Sequence, residues 1–107
     1  MMVTIEDTLV KKIVRRIARS VKPERIILFG SRADGTGGEG SDVDLVVIYG
    51  GPLSKRQVLT QIRELFPHPD FSLDLVVLTP DEFESQKNIA NTLAREVEDK
   101  GIVCYAG

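Results

Sequence analysis

Two neighbouring segments decide the fold: residues 26–33 read Ile-Ile-Leu-Phe-Gly-Ser-Arg-Ala, and residues 41–47 read Ser-Asp-Val-Asp-Leu-Val-Val. The first is a short apolar run that ends at a glycine, which predicts a buried strand followed by a turn. The second is polar only at its entrance, which predicts another strand with acidic residues at its start. A glycine-serine turn and an acid pair are therefore expected at two adjacent strand ends.

The sequence on either side predicts helices and further strands. Apolar residues recur every four positions from Ile5 to Ile17, which predicts an amphipathic first helix with Thr4 as a candidate cap. The other expected elements are strands at 25–29, 42–49, 71–78 and 102–105, a Gly-rich loop at 34–41, and helices at 54–66 and 81–100, the last broken near Asn88 and ended by Gly101. This order predicts an α/β (α+β) fold, a small mixed sheet flanked by helices, as a single domain over residues 1–107.

Composition excludes several classes of protein. With 42% hydrophobic and 28% charged residues, the 107-residue chain has the composition of a globular domain. A formal net charge of −2 predicts no extended nucleic-acid surface. The longest apolar runs are far shorter than the roughly 20 residues of a membrane span. Glu6 and Asp7 interrupt the N-terminal segment, so no signal peptide is predicted and a cytoplasmic location is expected.

Gly30-Ser31 is a candidate phosphate-binding turn. A glycine directly after a strand lets backbone N–H groups approach a phosphate, and the serine hydroxyl adds a donor. The alternative is that Gly30 only makes a tight turn out of the strand. The dipeptide by itself favours that alternative.

Asp42 and Asp44 are a candidate metal-binding pair. Two positions apart on a strand, their side chains point to the same face. Like charges so close destabilise a fold unless a cation lies between them or one is protonated, and Mg²⁺ prefers carboxylate and phosphate oxygens. The alternative is a solvated strand end at which both acids face water.

Asp74 is the third candidate. It interrupts a run, Leu73 to Leu78, that otherwise predicts a strand buried on both faces. An unpaired carboxylate buried there would cost several kcal/mol, roughly, so a partner is expected. That partner is either a metal shared with Asp42 and Asp44 or an arginine such as Arg25 or Arg32.

Gly30-Ser31, the ten-residue gap, Asp42-Val43-Asp44 and the later Asp74 together resemble the nucleotidyltransferase superfamily of DNA polymerase β. The Gly-Ser-Arg-Ala and Ser-Asp-Val-Asp segments are most similar to its small, free-standing minimal nucleotidyltransferases. The resemblance covers roughly residues 26–79 at the level of motifs.

The resemblance implies a mechanism and a site. Asp42, Asp44 and Asp74 would be the catalytic residues and would hold Mg²⁺, while Gly30 and Ser31 would bind the phosphates of a nucleoside triphosphate, ATP being the expected one. Arg32 would add positive charge there, although it could equally pair with Asp44. Relatives often carry basic residues in the loop where this chain has Asp34 and Glu39, which lowers the expected phosphate affinity.

The resemblance also implies a partner. Minimal nucleotidyltransferases are often paired with a helical HEPN protein as the antitoxin of a toxin–antitoxin system, and some modify that partner with AMP. The alternative is a binding module, an antitoxin subunit that binds nucleotide or protein with little or no transfer. A site on an open sheet face predicts a homo-oligomer or a hetero-complex that completes the acceptor side.

Overall fold

The first helix, α1 (Thr8–Val21), supplies much of the core. The structure, a computed structural model, describes residues 6–38 and 40–107, so the predicted cap Thr4 lies outside the described residues. Asp7 is the N-cap of the described helix, and its Oδ1 accepts a hydrogen bond from Val10 N at 3.2 Å. Lys22 ends the helix in a left-handed conformation, with φ 51°.

The order of helices and strands is as predicted, except that a short helix, α2, lies between the first two strands where only a turn and a loop were expected. After α1 come β1 (Arg25–Phe29), α2 (Ser31–Asp34), β2 (Val43–Ile48), α3 (Lys55–Glu64), β3 (Leu73–Leu78), α4 (Pro80–Gln86), α5 (Leu93–Lys100) and β4 (Ile102–Ala106). The short helix α2 begins directly after Gly30 and ends at the start of the predicted Gly-rich loop. The predicted helix at 81–100 is two helices, with Asn91 between them at φ 67°.

One mixed sheet of four strands, in the order β3-β2-β1-β4, organises the molecule. β1 runs antiparallel to both β2 and β4, while β2 and β3 are parallel and joined through α3. The predicted α+β fold with a small mixed sheet is confirmed. Because β2 and β3 are parallel, their starts lie at the same end of the sheet, and the predicted acidic residues lie there.

Helices cover both faces of the sheet. On one face α1 and α3 pack on alternate β2 residues, including Val43, Leu45 and Val47. On the other face α4 and α5 pack on Val46 and Ile48. Side chains of a strand alternate between faces, so Asp44 belongs to the face of α4 and α5.

Gly101 ends α5 as predicted, but for a different reason from a left-handed turn. Its φ is −73°, and its N–H donates to Val97 O at 2.9 Å. A Cβ there would lie 2.5 Å from Val97 O and 2.6 Å from Ile27 Cγ2. Close packing of this turn against β1 therefore requires glycine.

No helix in the described part of the chain is long and apolar enough to span a membrane.

Candidate active site

Gly30 brings the turn after β1 against Asp44. Its φ of 75° and ψ of −157° belong to a region that essentially only glycine adopts. A Cβ on Gly30 would collide with Asp44 Oδ2 and lie 3.1 Å from Asp44 Cγ. The chain then turns at once into α2, where the N–H groups of Ala33 and Asp34 both donate to Gly30 O at 3.1 Å. The turn thus makes a close approach to a carboxylate in addition to reversing the chain.

Asp44 and Asp74 are direct neighbours across two parallel strands. The register of β2 and β3 places Asp44 beside Asp74, and that of β1 and β2 places Phe29, the residue before Gly30, beside Asp44. Burial raises the pKa of Asp44, and a hydrogen bond with Asp74 and the charges of Asp74 and Asp42 raise it further. The predicted gathering of the acids is therefore present, with Asp44 at its centre.

The burial expected of Asp74 is wrong. Its side chain is exposed, because β3 is an edge strand and Asp74 stands at the open end of that edge. The argument that a buried charge needs a partner therefore does not apply to Asp74. Of the two arginines considered as its partner, Arg25 lies 4.8 Å above the Phe83 ring and Arg32 pairs with Asp7.

Asp42 lies just before β2, which begins at Val43, and its side chain is exposed. The alternative of a solvated strand end therefore describes Asp42, whereas Asp44 is half-buried. The two aspartates do not share one environment. Asp42 acts on Asp44 through its charge, and Asp74 acts on it through both charge and a hydrogen bond.

Arg32 is held on both sides by the protein. Its Nη1 lies 2.6 Å from Asp7 Oδ2, its Nε donates to Ser41 O at 3.0 Å, and its side chain is only 7% exposed. The bond to Ser41 ties α2 to the residue before Asp42. The pKa of Asp7 is lowered. Burial alone would raise this pKa, but the hydrogen bond from the Val10 N–H and the bond and charge of Arg32 together lower it.

Asp7 is a residue that the sequence analysis missed at this site. It caps α1 through one carboxylate oxygen and pairs with Arg32 through the other. An acidic residue directly before an amphipathic helix is a recognised cap signal, so its first role was visible in the sequence. Its second role depends on the fold, because Arg32 is 25 positions away.

The Gly-rich segment folds back over Ser31. Gly37 N donates to Ser31 O at 3.0 Å. A Cβ on Gly37 would lie 2.6 Å from Ser31 Oγ and 2.5 Å from Ser41 Oγ. The two hydroxyls thus flank the Gly37 backbone, and a side chain at this position would have to displace them. Asp34, one of the acids expected to weaken phosphate binding, is exposed and accepts from Thr36 N and Oγ1, and Glu39 lies outside the described residues.

A cavity of about 630 Å³ lies between the start of α1 and the Gly-rich segment. Its lining residues are Glu6, Asp7, Thr8, Leu9, Arg32, Gly37 and Gly38. None of the three aspartates lines it. Asp44 lies instead on the inner strand β2 and Asp74 on the edge strand β3, at the end where both strands begin.

The aspartates suit a metal ion that is shared with a substrate. In residues 6–38 and 40–107, no three His, Cys, Asp or Glu side chains form a ready ligand cluster. Mg²⁺ does not need one, because it commonly binds through one or two carboxylates, water and substrate phosphates. Burial raises the pKa of Asp44 and the nearby carboxylates of Asp74 and Asp42 raise it further, and a cation beside them would favour the charged form.

The comparisons with known proteins agree with this geometry. The family model described as "Nucleotidyltransferase domain" matches residues 10–104, so the chain belongs to that family. Comparison with curated proteins gave no match.

Solved structures share the fold at low identity. A Sulfolobus solfataricus protein provisionally named a nucleotidyltransferase is 22% identical, with a TM-score of 0.62 over 92% of this chain and 78% of its own. A toxin–antitoxin structure with AMP-PNP is 22% identical, with a TM-score of 0.59 over 91% and 73%. A mutant of the toxin–antitoxin MntA-HpeT is 23% identical, with a TM-score of 0.59 over 97% and 75%. The chain thus shares its fold with a protein named as a nucleotidyltransferase and with chains from toxin–antitoxin structures.

Proposed function

We propose that this nucleotidyltransferase domain transfers a nucleoside monophosphate, AMP from ATP, to a hydroxyl acceptor in the presence of Mg²⁺. The acceptor oxygen bonds to the α-phosphorus, pyrophosphate leaves, and the hydroxyl proton passes to solvent. One observation carries the proposal. Asp44 is placed beside Asp74 and against Gly30, so two carboxylates and a phosphate-binding type of turn meet at one strand end.

Each residue has a proposed role. Asp42, Asp44 and Asp74 would hold Mg²⁺, which supplies charge stabilisation for phosphoryl-group chemistry. Gly30 and Ser31 offer backbone N–H groups and a hydroxyl to the triphosphate. Arg32 holds the phosphate-binding turn in place relative to the aspartates, because its bonds to Asp7 and Ser41 fix α2 relative to the residue before Asp42.

The proposed acceptor is a partner protein of helical HEPN type, for which this chain would act as antitoxin. Two observations support it: structurally similar chains come from toxin–antitoxin structures, one of them with AMP-PNP, and Asp74, beside Asp44, lies exposed on the edge strand β3. An acceptor hydroxyl must be brought to that open edge by another molecule. A second copy of this chain could complete the site in the same way.

The proposal is tested by incubating the protein with ATP labelled at the α-phosphate and Mg²⁺, with and without the protein that co-purifies with it. Label should move to the acceptor, and Asp44→Asn should reduce the rate by about a thousandfold, since a misplaced or missing metal ligand removes several kcal/mol of stabilisation. Asp81→Asn is the matched control, because Asp81 is an exposed acid at the opposite end of the sheet.

Two outcomes would contradict the proposal. If Asp44→Asn transfers label as well as the wild type does, the metal assignment is wrong. If the wild type binds its partner but transfers no label from any of the four nucleoside triphosphates, the chain is a binding module instead of an enzyme.

A further inference from the structure

The exposed face of α1 is strongly basic. Its 14 residues include five lysines or arginines and no acid. At about 100° per residue they occupy one arc of about 140°, opposite the buried residues. These residues are Lys11, Lys12, Arg15, Arg16 and Arg19, of which all but the half-buried Lys11 are exposed. We call this arc the α1 basic face.

No acid of the described residues forms an ion pair with the α1 basic face. The ion pairs among the described residues lie elsewhere and join Arg32 to Asp7, Lys55 to Glu82, Lys87 to Glu84, and Arg95 to Asp99. The neighbouring helix α3 adds three basic residues and one acid, while α4, on the other side of the sheet, has three acids and no base. The net charge of −2 averages these two sides, and for that reason it predicted no basic surface.

The shape of this surface suits a single strand better than a duplex. An α-helix of 14 residues is about 21 Å long. α1 packs beside α3, where Gln61 Nε2 donates to both Ser20 O and Ser20 Oγ at 2.9 Å. A pair of helices side by side is wider than the major groove of about 12 Å, which admits one helix. A flexible single strand can instead lie along the row of charges.

Aromatic rings stand beside the basic face. The Arg16 guanidinium lies 5.0 Å above the Phe66 ring, which packs edge-to-face on Phe71 with centroids 5.6 Å apart. These three residues share a shallow cavity of about 260 Å³ with Leu65, Pro67, His68, Pro69 and Asp70. Positive charge along a path with aromatic side chains at its edge is the combination that holds single-stranded nucleic acid. An acidic protein surface would use the charges but has no bases to stack on the rings.

We propose that the α1 basic face, with Phe66 and Phe71 at its side, binds a single strand of nucleic acid through its phosphates. This surface is separate from the carboxylate site, because Asp44 faces the opposite side of the sheet. Binding needs neither ATP nor Mg²⁺, so its test is independent of the proposed transfer.

Fluorescence anisotropy with a 5′-labelled, 12-nucleotide single-stranded RNA in EDTA tests the proposal. Affinity should fall by roughly 20- to 100-fold between 50 and 200 mM salt, which corresponds to three to five neutralised phosphates at a slope of about −0.7 each. Arg15→Gln with Arg19→Gln should weaken binding about tenfold and make the slope shallower. The matched control, Arg95→Gln with Lys100→Gln on α5, should change affinity less than about twofold.

Thermal melts of both double variants verify folding, since every substituted side chain is exposed and glutamine favours helix. Absence of RNA binding at 50 mM salt would overturn the proposal, as would equal loss in both variants. Binding of poly-L-glutamate as tight as that of the RNA would also overturn it and assign the face to an acidic protein.

Discussion

The two ends of the central sheet are built on opposite principles. At the end where β2 and β3 begin, Asp44 and Asp74 stand side by side, and the turn beside them requires a glycine-only conformation. At the end where β2 and β3 finish, Ser54 and Thr79 each start a helix with a complete capping box. There Lys55 Nζ lies 2.6 Å from Glu82 Oε1 and joins the two helices.

The capped end of the sheet contributes to stability, whereas the acidic end has the features of a binding site. At the capped end, local sequence preference agrees with the structure, and the capping side chains form hydrogen bonds with the helix backbone. At the acidic end, like charges repel and the backbone is held in a rare conformation, which persists only because the rest of the fold imposes it. Sites of that kind are typical of function, since a ligand relieves the electrostatic conflict that the protein leaves.

The largest effect on stability should come from Gly30→Ala. The new Cβ would collide with Asp44 Oδ2 and would need a backbone region that alanine avoids. We expect a loss of stability of about 1–3 kcal/mol. Displacing the carboxylate should also reduce transfer by at least about a hundredfold. Urea denaturation and the label-transfer assay measure the two effects.

Gly35→Ala is the matched control for that prediction. Gly35 also has a positive φ, 82°, but a Cβ there meets nothing within 4 Å. Its substitution should cost about 1–2 kcal/mol of stability and leave transfer intact. Equal loss of transfer in the two variants would mean that the contact of Gly30 with Asp44 is unimportant.

Thr79→Ala tests the capped end and should have a smaller effect. It removes the hydroxyl that accepts from Glu82 N at 3.1 Å, and we expect a loss of about 1 kcal/mol with transfer unchanged. Thr79→Ser, which keeps a hydroxyl, should recover most of the stability in the same urea titration. A fall in transfer with Thr79→Ala would show that the two ends are coupled.

The smallest effect on stability, a gain instead of a loss, should come from Asp44→Asn in metal-free buffer. The raised pKa means that the folded state binds this proton more tightly than the unfolded state does. The stability linked to that proton is present below the unfolded pKa and is lost as pH rises through the folded pKa. Above that pKa, Asp44→Asn should therefore be more stable than the wild type by about 0.2–1 kcal/mol.

Thermal melts over a pH series in EDTA test this reversal. The difference between Asp44→Asn and the wild type should disappear at acidic pH, where Asp44 is protonated. Added Mg²⁺ should stabilise the wild type more than the variant. A variant that is less stable than the wild type at neutral pH would show that Asp44 is not electrostatically strained.

Local patterns predicted most of the fold, because periodicity and turn chemistry act over a few residues. Gly30, Thr79 and the break between α4 and α5 are examples. The closeness of Asp44 and Asp74 was also predicted, since each lies near the start of its strand and the two strands were expected to be neighbours.

Other features depended on topology and could not be predicted. Asp74 was expected to be buried because its strand is apolar, but that strand lies at the sheet edge. The pairing of Asp7 with Arg32 joins residues 25 positions apart, beyond any local pattern. The α1 basic face was visible in the sequence as spacing, yet the lack of ion pairs between it and the described acids depends on where those acids fold.

The position of β1 has a consequence for how the chain is made. β1 lies between β2 and β4, and its pairing with β4 joins Arg25 to Ala106 and Leu28 to Ile102. During synthesis, β2 is available soon after β1, but the second edge of β1 remains open until residues 102–106 have emerged. An open, apolar strand edge invites pairing with other chains. The nascent protein is therefore most vulnerable to aggregation after the residues of the candidate site have emerged and before its sheet is closed.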